Sequence, residues 1–141
     1  MNNNQQFAVS CHLLAILAAD QDSPVTSETI AESVNTNPVV IRRTMSHLRR
    51  HGLVDSRPGA NGGWRLARTP DKISLREVYC AVNHENVLAM HQHPNPDCPI
   101  GGSIQPALGA IFGEAQMALE MALDKFSVTN ILELVLEKSQ P

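Results

Sequence analysis

Two groups of residues in this 141-residue chain could do chemistry. The first is a run of cations. Residues 38–72 hold eight Lys or Arg against two acids, net +6, whereas residues 1–37 are net −4 and residues 73–141 net −5. A chain of formal charge −3 thus gathers its positive charge in one quarter of its length. Most of these cations are arginines, whose planar forks pair with phosphates and with guanine edges. A division of this kind marks a surface facing a polyanion on an otherwise acidic body. The second group is Cys98 with His91 and His93, in the stretch His91-Gln92-His93-Pro94-Asn95-Pro96-Asp97-Cys98-Pro99. A thiol beside imidazoles could serve as nucleophile and base, or as three metal ligands with a fourth still wanting for zinc. A small thiol- or metal-dependent enzyme built on Cys98 and these histidines is therefore the alternative reading. The chain has no Ser/His/Asp order with a supporting motif, no phosphate loop and no paired carboxylates, so the expectation is that it is not an enzyme.

Such groups act only where a scaffold aims them. Phe7, Val9, Leu13, Leu14, Ile16 and Leu17 predict a helix over about 6–19. A second helix starts at the N-cap Thr26, with Val25 and Ile30 spaced as a hydrophobic staple, and stops at Asn35-Thr36-Asn37. A third is capped by Asn37, carries Pro38 in its first position, and runs to His51 before Gly52. Its Ile41, Met45 and Leu48 form an inward stripe. Its other side shows Val39, Arg42, Arg43, Ser46, His47, Arg49 and Arg50. Two extended runs, 53–57 and 64–68, flank a Pro/Gly/Asn loop and read as a β-hairpin. Ser74-Leu75-Arg76-Glu77 is a capping box that opens another helix. Residues 84–103, with three prolines, read as a linker or sensing loop. Helices over 104–125 and 128–138 close the chain. The first has one stripe of Ile104, Leu108, Ile111, Ala115, Ala118 and Ala122, and a second of Phe112, Leu119, Leu123 and Phe126. Together these are wider than one packing partner needs. Gly109 and Gly113 each cost about 1 kcal/mol of helix propensity, so something must approach that side closely.

Helix, short turn, helix and hairpin make a winged helix-turn-helix, mostly α with a small β-hairpin. Residues 1–83 form the DNA-binding unit, 84–103 the loop, and 104–141 the dimerisation and C-terminal helices. In this plan the third helix enters the major groove of double-stranded DNA and the hairpin touches the flank. The arginines, Ser46, His47 and Val39 face the duplex from that helix. Arg57 and Asn61 supply donors at the wing, and Gly62 and Gly63 let its backbone approach the sugar-phosphate wall. Thr26 and Ser27 begin a helix whose free N–H groups suit a phosphate. Trp64 anchors the base of the wing. Cys11 and Cys80, within helices, read as small buried hydrophobes. The longest apolar run, Leu13 to Ala19, is far short of a membrane span, and no basic-then-apolar signal segment opens the chain. Three scattered cysteines make no disulfide framework, so a cytoplasmic protein with reduced thiols is expected.

Three runs carry a family resemblance: 37–43 (Asn-Pro-Val-Val-Ile-Arg-Arg), 48–54 (Leu-Arg-Arg-His-Gly-Leu-Val), and 56–68, which contains Ser-x-x-Gly-x-x-Gly-Gly. Over about 6–138 the chain resembles the Rrf2 family of bacterial transcription regulators. The resemblance implies a homodimer joined through the long helix, binding a near-palindromic operator, with the wing in the minor groove and repression as the outcome. Cluster-binding members carry three closely spaced cysteines before the dimer helix, where this chain has only Cys98. No stable iron–sulfur cluster, and no other cofactor, is therefore expected. The Cys-Pro-Ile-Gly segment resembles the single-cysteine branch, which makes Cys98 the candidate redox sensor, with a small molecule as the alternative signal.

Overall fold

The computed structural model describes residues 3–139; the two residues at each end of the chain, parts of the expected 1–83 and 104–141 segments, lie outside the described residues. Helix α1 spans Asn3–Ala19, three residues more than its apolar spacing predicts, because the polar residues at its start extend the helix by less than one turn without adding to its apolar pattern. It is the central helix of the body. It packs against α2 (Ser27–Val34), α4 (Leu75–Val82), α6 (Val128–Lys138) and strand β2 (Gly63–Leu66), and its Leu13, Leu14 and Leu17 are fully buried.

The helix-turn-helix forms from short-range instructions. The Thr26 hydroxyl accepts from the Thr29 N–H at 3.1 Å, and α2 ends at Asn35, whose φ of 63° lies in the left-handed region that Asn tolerates. Asn37 Oδ1 accepts from the Val39 N–H at 2.8 Å and starts α3 (Pro38–Arg50). Ile41, Met45 and Leu48 are fully buried, as their spacing requires. Thr44 is buried with them, and its hydroxyl is satisfied by the Val40 carbonyl at 2.9 Å. Gly52, at φ 73°, closes the helix: Gly52 N–H donates to Arg49 O at 3.0 Å and Leu53 N–H to Leu48 O at 3.0 Å. That is the Schellman pattern, and it turns the chain directly into the hairpin.

Strands β1 (Val54–Arg57) and β2 pair antiparallel, from Val54 opposite Leu66 to Arg57 opposite Gly63. Their base is pinned to the turn between α1 and α2, where Val25 and Trp64 exchange two backbone hydrogen bonds of 2.9 and 2.8 Å. A single 3-10 turn at Pro70–Lys72 leads to α4, which opens on the predicted Ser74–Glu77 capping box. Residues 83–103 form turns and irregular chain before α5 (Ile104–Leu123). Helix α5 meets the body along α4, and Gln116 is its one buried residue. Helix α6 returns to α1, with Val128 buried in the core, so the two C-terminal helices have different neighbours. No helix of the described residues is long and apolar enough to cross a membrane.

Candidate nucleic-acid interface

Because α3 is locked inward by its apolar stripe, its opposite side stands in solvent. Val39 is 53% exposed, and Arg42, Arg43, Ser46, Arg49 and Arg50 are exposed with it. Arg49 Nη1 donates to Ser56 Oγ at 3.3 Å, tying α3 to β1. Arg42 Nη2 donates to Glu28 Oε1 at 2.6 Å, linking α3 to α2. Between α3 and the wing lies an open cleft of about 520 Å³ lined by Arg42, Arg49 and Arg57, with Ser27, Ser56, Pro58, Gly63 and Trp64. Three arginines from two consecutive elements, α3 and β1, thus line one concavity. A guanidinium has five donors, and each of these bonds uses one, so both forks keep donors for a partner in the cleft.

Several expected contact residues have other work in the fold. Ser27 is buried, and its hydroxyl accepts from Trp64 Nε1 at 3.0 Å. It joins α2 to the wing, supplying the acceptor that a half-buried indole N–H needs. Trp64 is the anchor at the wing base that its position predicts. Gly63 has φ 153°, and a Cβ there would lie 2.6 Å from the Val25 carbonyl oxygen. A Cβ at Gly62 would run into the Arg57 carbonyl. Both glycines are therefore required by the packing of the hairpin itself, before any partner is considered. Arg57 and Asn61 are exposed at the hairpin. Thr26 and Asn37 are exposed caps, and Ser46 bonds back to the Arg42 carbonyl at 2.9 Å.

His47 is half-buried on the side of α3 that faces residue 84, its ring centroid 5.9 Å from that of His84. Burial, with Arg50, His84, His51 and Arg43 nearby, lowers its pKa below the ordinary histidine value. Glu28 is the residue of this surface that sequence reasoning passed over. An acid in the first turn of α2 suits the helix dipole, and that local signal masks its reach to α3.

The cysteines sit apart from one another. Cys98 is exposed in the turn before α5, where the backbone N–H groups of Gly101 and Ile100 hold its thiol below the usual pKa. Cys11 is half-buried on α1, and burial pushes it up to about 12. Cys80 departs from the expectation of burial: it is exposed on α4, its thiol 3.5 Å from Glu120 Oε1. Burial of the sulfur and the neighbouring carboxylate both raise its pKa. Gln116 stitches this region together. Its amide donates to Tyr79 OH at 3.0 Å and to Glu120 Oε2 at 3.2 Å, and its carbonyl accepts from Val87 N–H at 2.9 Å. Among the described residues, no three His, Cys, Asp or Glu side chains gather as metal ligands, and His91, His93 and Cys98 do not assemble into a site.

On α5 the expected dimer stripe divides. Ile111, Ala115, Ala118 and Ala122 are exposed, while Ile104 and Leu108 are half-buried. Met117 and Met121, 63% and 57% exposed, add apolar surface to the helix. A Cβ on Gly109 or Gly113 would meet nothing within 4 Å, so no described residue supplies the close approach expected there.

Comparison with known proteins agrees with this geometry. A family model described as "Rrf2: Iron-dependent Transcriptional regulator" matches residues 3–134. The Bacillus subtilis protein YwnA, which carries the name of an HTH-type transcriptional regulator, is 42% identical over 130 residues, 92% of this chain and 96% of that protein. The regulator IscR of Aliivibrio salmonicida is 34% identical over 101 residues, 72% of this chain and 59% of its own. A crystal structure titled as that of a DNA binding protein superposes with TM-score 0.74 at 39% identity, covering 90% of this chain and 98% of that one. T. potens IscR shares the fold, at TM-score 0.73 and 21% identity over 96% and 89% of the two chains. The iron of the family description does not fit this donor set. An iron–sulfur centre takes four ligands, mostly thiolates, and here Cys98 stands in its loop with the other two cysteines on α1 and α4.

Proposed function

The chain belongs to the Rrf2 family of transcriptional regulators, which are not enzymes, and on that premise we propose how it grips DNA. Two copies bind one near-palindromic duplex in the cytoplasm. Each lays α3 in a major groove and its wing along the neighbouring minor groove, with half-sites about 34–36 Å apart or a multiple of that. The unit over 1–83 reads DNA, the exposed side of α5 joins the copies, and the 84–103 loop receives the signal.

The observation that carries this reading is the cleft in which Arg42, Arg49 and Arg57 converge from α3 and the wing. Arg43 and Arg50 extend the same charge toward the phosphates on either side. Val39, exposed at the start of α3, is placed to meet a thymine methyl. The outcome is repression. Oxidation of Cys98, beside the start of α5, is the input through which the loop alters DNA affinity.

Salt titration tests the core of the proposal. Binding to mixed-sequence duplex should be measurable at low salt and should weaken linearly on a log–log scale as salt rises. Selection from random DNA should then return a two-fold symmetric site. A protein that binds no duplex at low salt, or binds with no dependence on salt, overturns the reading.

A further inference from the structure

Glu28 places a carboxylate beside a surface that is otherwise cationic. It lies in the first turn of α2 and accepts from Arg42 Nη2 at 2.6 Å. Resting on the reading that α3 enters the major groove, we propose that Glu28 is a specificity-determining residue, holding the Arg42 guanidinium by one edge so that its remaining donors meet one chosen base pair.

The pair spans the two helices of the helix-turn-helix, whose Ile30 and Ile41 are fully buried, so the core fixes both backbone anchors. The side chains themselves stay half-exposed, 51% for Arg42 and 64% for Glu28. An exposed pair of this kind adds little to folding, which leaves its effect on Arg42 as its main consequence. A guanidinium has five donors, and Glu28 occupies one of them. An arginine held in advance loses less rotamer freedom when it docks, and its free edge matches the paired O6 and N7 acceptors of guanine. The carboxylate also cancels the charge that Arg42 would otherwise offer to any phosphate. The side chain of Arg43, next along the helix, makes no hydrogen bond or ion pair among the described residues. It remains an exposed cation suited to the DNA backbone. Two adjacent arginines are thereby divided, one toward sequence and one toward charge.

The test uses the full chain and the duplex that the wild-type protein selects from random DNA. Wild type, E28Q, R42A, R42K and the E28Q/R42A double variant are measured on that duplex, on each single-base variant of a half-site, and on mixed-sequence DNA. E28Q should bind mixed-sequence DNA more tightly and lose about tenfold in preference at one base pair, with the other positions unchanged. R42K, which keeps the charge but not the fork, should relax the same base pair, and E28Q should add nothing in the R42A background. If E28Q strengthens every duplex by one factor and leaves all base preferences intact, Glu28 only repels phosphate and the proposal falls. An effect of E28Q that persists without Arg42 also overturns it. Failure of the wild-type protein to bind any duplex would instead remove the DNA-binding reading on which it rests. A selective wild type with an unchanged E28Q profile removes this inference alone.

Discussion

Replacing Gly63 by Ala separates two reasons for a bare backbone in the wing. A methyl group there would sit 2.6 Å from the Val25 carbonyl oxygen and 2.7 Å from its carbon, both backbone atoms that cannot swing aside. The hairpin must then lift from the turn between α1 and α2. Lifting breaks the two Val25–Trp64 backbone hydrogen bonds, at 2.9 and 2.8 Å, and strains the 3.0 Å bond from the Trp64 indole to Ser27. At roughly 1 kcal/mol net for each bond, the loss is about 3 kcal/mol. Holding an alanine at φ 153° instead costs about 1–3 kcal/mol, so neither route escapes the penalty. For a domain of this length each kcal/mol moves the melting temperature by about 3–4 °C, which puts the expected drop near 10 °C. Thermal unfolding followed by circular dichroism measures it, and duplex affinity is read at a temperature where the variant is fully folded. A melting temperature within about 2 °C of wild type, with DNA affinity lost, would refute the packing argument. It would mean that Gly63 is bare in order to admit the sugar-phosphate wall.

The other expectations concern charge, thiols and assembly. Arg43→Ala with Arg49→Ala should lower the slope of log affinity against log salt by about 2 and leave the melting temperature near wild type; an unchanged slope would take these residues off the phosphate-facing side. Iodoacetamide should label Cys98 first, because its lowered pKa raises the thiolate fraction at neutral pH, whereas burial to about 12 leaves Cys11 protonated until the chain unfolds. Peptide mass spectrometry gives the order, and early labelling of Cys11 would contradict its placement. Cys98→Ser should keep full DNA affinity in reductant while losing any response to peroxide, and a serine variant that still responds places the sensor elsewhere. Ile111→Glu should give monomers in sedimentation, since Ile111 is 61% exposed on α5; a persistent dimer would move the interface off this helix.

The features legible in the chain are local ones. The caps at Thr26, Asn37 and Ser74, the stop at Gly52, and the buried stripe of Ile41, Met45 and Leu48 each depend on residues within a turn or two. The gathering of cations into residues 38–72 was likewise legible, because those residues are contiguous along α3 and the hairpin. The remaining features arise from packing between elements. Ser27 and Trp64 are 37 residues apart and meet through one hydrogen bond, which turns an expected contact residue into a buried connector. Glu28 and Arg42 are 14 apart, Gly63 presses on Val25, and Cys80 faces Glu120 across two helices. Capping and periodicity act through the backbone geometry of one element, which a short stretch of sequence fixes. The neighbour that a side chain finds across a gap between elements depends on how the whole core closes, and no local pattern carries that information.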